Sequence, residues 1–427
     1  MRTRNLVATL AAMLMGASGV ANAAEVLKTE HAQMDVGGRL QLLGFGQRLK
    51  DGSQSDERFY LFLKQGRFIL SGNVDDWRYR VMVGLGGEDE VKAPTPGISL
   101  GLLDMYVDVP IHILGKSYVR VGQFRVPYSR ERLTESGTLR FADRSIQNLA
   151  FRVGRDVGAT FFTQAGPAVA GLGIFTGGGR DIPERYLPQT LGSPMLVFRA
   201  GFDGGLGEDV FTTPTTLAAP DKAQMAFFVN GLFVKDSRIG HSTVFTTKAA
   251  EKSLLLNANW NPYISQAPTN LGRLWQIGAD AAMRAPVGPG VLSAEVEGNL
   301  GVYQNDYGDI RVPGGRAQVG YTWQPVDVTL RYAVIVPDER FAVGDAQITG
   351  KRAIQELTPS LTYTFPGFPA KIVADLPIQL GTPVIFEEGV GSYLLTEQPD
   401  QTSLLKKSAP ITRQNVVEAR LLVQASF

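Results

Sequence analysis

The sequence predicts an all-β protein, namely a transmembrane antiparallel β-barrel of about 16 strands. Three observations lead to this prediction. Alternating apolar and polar segments recur along the chain, an export signal stands at its start, and the alternation continues to the last residue, Phe427. No apolar stretch reaches the roughly 18 residues of a spanning helix, whereas a barrel strand needs only about 10 residues of alternating character.

The chain begins with the pattern of a secretory signal peptide. Arg2 and Arg4 form a basic start, residues 6–15 form an apolar core, and Ala21-Asn22-Ala23 provides an A-x-A cleavage site. We expect residues 1–23 to be removed and residues 24–427 to form a single barrel domain. Removal of two of the 42 basic residues leaves 40 against 41 acidic residues. This balance gives no reason to expect nucleic-acid binding.

Turn-forming residues divide the rest of the chain into segments with the alternation of strands. We place 16 of them and leave room for a further hairpin within 368–396. The predicted strands are 36–49, 58–72, 76–87, 100–109, 117–126, 154–165, 168–178, 194–203, 222–235, 252–261, 272–285, 290–304, 314–324, 326–336, 354–365 and 413–427. Charged side chains that face hydrocarbon cost a few kcal/mol each, so the polar face of each strand is expected to line the lumen.

The final segment places an apolar residue at every second position back from Phe427. This ending resembles that of bacterial outer-membrane barrels, whose last strand closes the cylinder and usually ends in Phe. The alternation would also suit a soluble two-sheet sandwich, which buries one face of each strand. The export signal, the terminal Phe and the number of strands favour the membrane barrel.

Residues 127–153 form a long, charged connection between two predicted strands. Its charged residues are Arg130, Arg132, Arg140, Arg144 and Arg152 beside Glu131, Glu135 and Asp143. Such a connection is longer than a turn requires, and long loops are usually functional. Its carboxylates could pair with arginines and fix the loop. Asp104 and Asp108 could likewise pair with Arg78, Arg80 or Arg120 on neighbouring strands.

Residues 119–131, Val-Arg-Val-Gly-Gln-Phe-Arg-Val-Pro-Tyr-Ser-Arg-Glu, strongly resemble the strand-to-loop signature of the phosphate-selective porin O/P family. The segments 103–108 and 154–158 on either side add to the likeness, and so do 67–72 and 75–80 upstream. The resemblance is dense from about residue 60 to 180 and diffuse beyond. It implies a 16-stranded, trimeric channel in the outer membrane of a Gram-negative bacterium, with the loop near 127–153 folded into the lumen.

In the best-known members of that family, arginines and lysines along the lumen pass phosphate or polyphosphate. Guanidinium groups suit this task because they offer charge-assisted donors in a planar fork, and many modest sites let the ion leave. The candidate anion path in this chain is Lys64, Arg67, Arg78, Arg80, Arg120, Arg125, Arg130, Arg132, Arg140 and Arg144. The alternative role for these residues is to line a water-filled wall or to anchor the loop through ion pairs.

The family's Arg-Arg-x-Arg run falls on Lys64-Gln65-Gly66-Arg67, where Gln65 loses one charge. This departure puts phosphate selectivity in doubt, whereas a general preference for anions survives better. Strict alternation places Lys64 and Arg67 on opposite faces, unless a bulge at Gly66 reunites them or Arg67 lies near a rim. Arg125 conflicts in the same way with its strand neighbour Arg120, unless it has left the sheet.

The leading functional prediction is passive diffusion of small hydrophilic solutes through a homotrimer in outer-membrane lipid, with phosphate-like anions favoured. The alternatives are a general non-selective porin, or an adhesin or scaffold that displays external loops at 204–221 and 337–353. An enzyme is not predicted, because no Ser-His-acid grouping is visible. The chain has no cysteine, and its three histidines lack metal-ligand spacing, so no cofactor or metal is predicted.

Overall fold

The computed structural model describes residues 24–51, 54–86, 100–111, 113, 115–151, 153–177, 194–214, 220–237, 272–305, 308–336, 342–343, 346–347, 353–387, 391–394 and 411–427. The first ten strands are β1 (Ala24–Lys28), β2 (Ala32–Asp51), β3 (Gln54–Val74), β4 (Trp77–Leu85), β5 (Gly101–Ile111), β6 (Lys116–Arg125), β7 (Arg155–Ala165), β8 (Ala168–Phe175), β9 (Met195–Gly204) and β10 (Gln224–Ser237). Two short helices, α1 (Arg130–Leu133) and α2 (Ile146–Phe151), lie between β6 and β7.

The remaining strands follow in chain order. They are β11 (Gly272–Val287), β12 (Gly290–Asn305), β13 (Gly308–Trp323), β14 (Val326–Ile335), β15 (Ala342–Val343), β16 (Ala346–Gln347), β17 (Ile354–Thr364), β18 (Ala370–Asp375), β19 (Ile378–Glu387), β20 (Gly391–Leu394) and β21 (Ile411–Ser426). Neither of the two described helices is long or apolar enough to cross a bilayer.

The strands close into an antiparallel barrel. Each strand from β2 to β13 pairs with the next strand in the chain. β14 pairs with β17, and β21 pairs with β2. β18 and β19 share one position in the wall, because both pair with β17 on one side and with β21 on the other. The result is a closed barrel of 16 strand positions, which confirms the predicted fold class.

The set of strands differs from the prediction at one position. β10 pairs directly with β11, and the predicted strand 252–261 lies outside the described residues. The sixteenth strand position is filled instead by β18 and β19 between β17 and β21, within the region 368–396 where a further hairpin was left open. Pro377 separates these two strands, because proline cannot donate a hydrogen bond to the sheet.

The barrel is apolar outside and mostly polar inside, apart from a buried apolar cluster that includes Phe124 and Phe211. In β14, Val328 and Leu330 are 55% and 44% exposed, whereas Asp327 and Arg331 are each 1% exposed. β17 shows the same alternation, as predicted for this segment. A soluble protein buries its apolar side chains and exposes its charged ones. The exposed face is therefore the lipid-facing surface, and the buried charged face lines the lumen.

Leu103 departs from the predicted alternation. In the predicted strand 100–109, strict alternation places Leu103 on the same lipid face as Met105, but Leu103 is fully buried while Met105 is exposed. The register between β4 and β5 shifts at this point, so that Leu103 is an extra residue without a partner in β4. A β-bulge of this kind turns a side chain to the opposite face.

The two ends of the barrel differ in their connections. Very short turns join β3 to β4, β7 to β8, β11 to β12 and β13 to β14, and they all lie at one end, the short-turn end. Bacterial barrels place their short turns on the periplasmic side and their longer loops outside. Residues 126–154, between β6 and β7, lie at the long-loop end. Residues 205–223, between β9 and β10, are an exception because they form a long connection at the short-turn end.

Substitution of Leu330 by arginine tests the assignment of the lipid face. Leu330 lies in the middle of β14 on its outer face. Leu330→Arg is therefore expected to destabilise the folded barrel in a bilayer by about 2–4 kcal/mol. Val326 begins the same strand on the same face, and Val326→Arg should cost only about 0–1 kcal/mol there. Urea-dependent folding into lipid vesicles measures both values. Equal costs at the two positions would contradict the assignment.

Candidate functional site in the lumen

The connection 126–154, called the inner loop below, crosses the interior of the barrel. Its Arg130 Nε donates to Asp280 Oδ1 of β11 at 3.0 Å, and its Arg140 Nε donates to Asp327 Oδ2 of β14 at 2.9 Å. The carbonyl of Ser136 accepts a hydrogen bond from the Gln41 side chain of β2. Because β2, β11 and β14 stand on different sides of the wall, a segment that bonds to all three must lie in the lumen.

The wall supplies donors to the irregular backbone of the inner loop. Lys64 Nζ of β3 donates to the carbonyl of Ala142 at 2.7 Å, and Lys371 Nζ of β18 donates to the carbonyl of Leu139 at 2.7 Å. Each buried carbonyl left without a donor would cost about 1–3 kcal/mol. Long cationic side chains of the wall therefore act as braces for a loop that has few hydrogen bonds of its own.

A β-bulge does bring Lys64 and Arg67 to the same face. The ladder between β2 and β3 skips Lys64, so the bulge lies at Lys64 and the prediction that placed it at Gly66 was wrong. Both side chains are buried, so Arg67 does not lie at a rim. The bulge allows three side chains of β3 to reach the inner loop, namely those of Lys64, Gln65 and Arg67.

These three side chains bind two points on the inner loop. Lys64 Nζ lies 3.1 Å from Asp143 Oδ2. Arg67 Nη1 donates to Ser136 Oγ at 2.9 Å, and this hydroxyl donates in turn to Gln65 Oε1 at 2.9 Å. The residues that occupy the family's basic run therefore hold the loop, with Gln65 as an acceptor in place of a third cation.

Four guanidinium groups surround Glu135 of the inner loop, and we call them the basic cluster. They belong to Arg39, Arg67, Arg80 and Arg125. The closest, Arg80 Nη2, lies 3.0 Å from Glu135 Oε1. Burial of the Glu135 carboxylate favours its neutral form, but the cations, with Arg80 first, outweigh burial and hold its pKa below the ordinary value.

Arg125 remains part of the sheet, so the alternative in which it had left the sheet is wrong. Its Cα pairs with that of Arg155 at the end of β6, and its Nη1 donates to the carbonyl of Leu133 in the inner loop. Arg120 lies deeper in the same strand, where its Nε donates to Asp108 Oδ1 at 2.7 Å. Arg120 and Arg125 thus bind different partners, and β6 is not broken between them.

The expected cross-strand pairs on β4, β5 and β6 are present. Asp108 accepts from Arg120 and lies 3.1 Å from Arg78 Nη2. Asp104 accepts from Arg155 Nε at 2.7 Å and lies 3.9 Å from Arg80 Nε. Opposite charges on adjacent strands stabilise the sheet, and here they also neutralise part of the lumen wall.

The arginines of the inner loop make contacts typical of anchors. Arg130 and Arg140 form buried ion pairs with Asp280 and Asp327. Arg132 donates to the carbonyl of Val153, and Arg144 donates to the carbonyls of Glu131 and Thr134. Arg152 lies outside the described residues. A direct role of these residues in anion passage stays a prediction.

Sequence reasoning missed the wall partners of the inner loop. They are Arg39, Asp280, Glu297, Arg316, Asp327, Arg331, Glu356 and Lys371. It also missed Glu208, which contacts the inner loop from the connection between β9 and β10. The alternation in 326–336 could have placed Asp327 and Arg331 on the lumen face, because apolar residues separate them. No sequence signal marks Glu208, which lies in a glycine-rich stretch.

The comparisons with known proteins agree with this geometry. The profile of the family described as phosphate-selective porin O and P matches residues 35–186, which confirms the resemblance drawn from the motifs. No curated protein matches the chain. The family match over residues 35–186 and the closed barrel together support an outer-membrane porin channel of a Gram-negative bacterium and not an enzyme.

Solved structures of other porins share the fold. An anion-selective porin from Comamonas acidovorans is 13% identical, with a TM-score of 0.53 over 93% of this chain and 100% of that chain. OmpT, an outer membrane protein of Vibrio cholerae, is 10% identical, with a TM-score of 0.51 over 95% and 100%. The outer membrane channel DcaP of Acinetobacter baumannii is 13% identical, with a TM-score of 0.50 over 95% and 100%. At these identities the likeness concerns the fold alone.

Loss of the Asp327 charge tests the anchoring of the inner loop. Asp327→Asn leaves the buried guanidinium of Arg140 without its carboxylate, so the free energy of unfolding should fall by about 3–5 kcal/mol. Asp309 and Arg311 form an exposed pair, and Asp309→Asn should cost less than about 1 kcal/mol. Urea-dependent unfolding in lipid vesicles measures the free energy of unfolding of both variants. A loss for Asp327→Asn as small as that for Asp309→Asn would contradict the anchoring role of Asp327.

Proposed function

We propose that this porin passes small hydrophilic solutes by passive diffusion and prefers anions. The observation that carries the preference is the basic cluster, where four guanidinium groups surround the carboxylate of Glu135. Asp104, the other carboxylate near Arg80, already accepts a hydrogen bond from a further guanidinium group, that of Arg155. A narrow lumen strips water from an ion and must replace it with donors, and clustered guanidinium groups provide them for an anion. A cation at the same place would meet an excess of like charge.

Two of the cations donate to neutral backbone carbonyls, which also supports an anion path. Arg125 donates to the carbonyl of Leu133, and Lys371 donates to the carbonyl of Leu139. A neutral carbonyl satisfies the donor but leaves the positive charge uncompensated, whereas a carboxylate cancels it. The inner loop is thus held on one side by groups whose charge still acts on a passing solute.

The charges that touch the inner loop differ between opposite walls. On the side of β2, β3 and β4 they are cations, Arg39, Lys64, Arg67 and Arg80. On the side of β11 to β17 carboxylates outnumber cations. The carboxylates are Asp280, Glu297, Asp327 and Glu356, and the cations are Arg316 and Arg331. This arrangement favours a field across the lumen, with the anion path along the wall of β2 to β4.

The nearby carboxylates keep the proposed sites weak. Glu135 and Asp143 compete with a passing anion for the same guanidinium and ammonium groups. A conducting pore needs sites that an ion can leave as readily as it enters them. The substitution at Gln65 lowers the charge further, so chloride-like and phosphate-like anions are both expected to pass. We also expect cleavage of residues 1–23, as the signal-peptide pattern predicts, and assembly into a homotrimer, as the family resemblance implies.

Reversal potentials in planar bilayers under a potassium chloride gradient test the preference. Glu135→Gln removes the carboxylate from the basic cluster, so the ratio of anion to cation permeability should rise several-fold. Arg80→Gln should lower the same ratio. Glu57 is exposed and pairs with Arg48 at the far end of the β2–β3 hairpin, so Glu57→Gln serves as the control and should leave the ratio unchanged.

The recordings also separate the competing functions. A marked cation preference of the native channel would overturn the proposal, and equal permeabilities would favour a general non-selective porin. A barrel that inserts but never conducts would favour the display of loops as an adhesin or scaffold.

Restoration of the missing charge tests the role of Gln65. Gln65→Arg would place a further guanidinium beside Arg67 and Ser136, so phosphate should block the chloride current at several-fold lower concentration than in the native channel. Gln65→Met has a similar volume without the charge and should not gain this sensitivity. The concentration of phosphate that halves the chloride current is the measurement. Equal values for the native channel and Gln65→Arg would place the anion path elsewhere.

A further inference from the structure

The connection between β9 and β10 folds into the lumen from the short-turn end. The sequence predicted an external loop at 204–221, but in its described part the side chains of Glu208, Val210, Phe211 and Thr213 are buried. We call residues 205–214 the lower segment. It enters the barrel at the end opposite to the inner loop, and the two segments meet inside.

The contact between the lower segment and the inner loop is polar and bidentate. Glu208 accepts two hydrogen bonds from Arg130, at 2.6 Å from Nη1 and 2.5 Å from Nη2. Thr213 Oγ1 donates to the carbonyl of Arg130 at 3.1 Å and lies 2.6 Å from Thr134 Oγ1. The lower segment thus holds α1 of the inner loop through the side chain and the backbone carbonyl of Arg130.

The wall has a fitted seat for the lower segment. Gly171 in β8 leaves room for Val210, because a Cβ at this glycine would lie 2.9 Å from Val210 Cγ2. The Phe211 ring lies 5.7 Å from the Phe124 ring, and the Arg120 guanidinium stacks on its face at 3.9 Å. These contacts fix the lower segment before any contact with the inner loop is counted.

The charges around Arg130 form a compensated group of four. Asp280 accepts from Arg130 and from Arg199, while Glu208 accepts from Arg130 alone. All four side chains are buried. Without Glu208, two buried guanidinium groups would share the single carboxylate of Asp280, which is an unfavourable arrangement in a site of low dielectric constant.

We propose that the lower segment is a latch that holds the inner loop from the short-turn end and keeps the pore open. Glu208 is the positioning residue of this latch, because it fixes α1 through Arg130. The inference rests on the proposed channel function, since closure is observed only in a conducting pore. Loss of the latch lets the inner loop move across the lumen and close it.

A disulfide cross-link tests the contact between the lower segment and the inner loop without electrical recording. The chain has no cysteine, so Thr134→Cys with Thr213→Cys introduces a single pair of thiols. Oxidised glutathione should convert the two thiols to one disulfide, accepting the two electrons and two protons that are released, and the product should migrate faster on a denaturing gel. Thr134→Cys with Thr212→Cys is the matched control, because the Thr212 side chain is exposed. Absence of the cross-link in the first pair would overturn the latch.

Voltage-dependent closure tests the function of the latch. Glu208→Gln should close at a lower applied voltage, with closures several-fold more frequent than in the native channel. Asp221→Asn removes an exposed carboxylate from the same connection and should behave as the native channel does. In the cysteine pair, oxidation should suppress closure and reduction should restore it, which gives a second measurement if Glu208→Gln does not fold.

The outcomes separate the latch from the channel itself. A native closure threshold in Glu208→Gln, or closure that oxidation of the cysteine pair does not change, would overturn the latch while the channel function stands. A native protein without conductance would overturn the proposed function, and the cross-link would still report whether the two segments touch.

Discussion

The structure depends on one constraint: an irregular loop inside the barrel must have its backbone carbonyls and its charges satisfied. The inner loop has two short helices and little other regular structure, so the wall and its own side chains must provide the donors. Lys64 and Lys371 donate to its carbonyls, and Asp327 accepts from Arg140. These contacts determine which lumen residues are charged and where they stand, because a buried charge without a partner costs several kcal/mol.

The same constraint links the anchoring of the loop to the selectivity of the pore. A lysine or arginine that donates to a carbonyl holds the loop and still contributes its charge to the lumen, whereas one that pairs with a carboxylate contributes little. Arg125 is of the first kind and Arg140 is of the second. Anchoring and anion preference are therefore compatible wherever the partner is neutral. The basic cluster combines both roles, since it holds Glu135 and exceeds it in charge.

Local patterns predicted the wall but not its interior contacts. Alternation placed Leu330 outside and Arg331 inside, because the two faces of each strand meet hydrocarbon and water respectively. The bulge at Leu103 escaped prediction, and the bulge offered at Gly66 lies at Lys64, since a single extra residue leaves little trace in the alternation. The family resemblance and the length of the inner loop indicated where it lies. Its partners could not be predicted, since Arg140 and Asp327 are far apart in the chain and meet only after closure.

Closure of the barrel also explains why the two infolded segments need each other. A loop tied only at its two ends to β6 and β7 can swing across the lumen. Contacts with the wall restrict it sideways, whereas the lower segment holds it from the short-turn end. Arg130 joins the inner loop to β11 through Asp280 and to the lower segment through Glu208. Because the three side chains share one network, their contributions to stability are not additive, and loss of either carboxylate weakens what the other can hold. The position of the inner loop in the lumen thus depends on contacts made from both ends of the barrel.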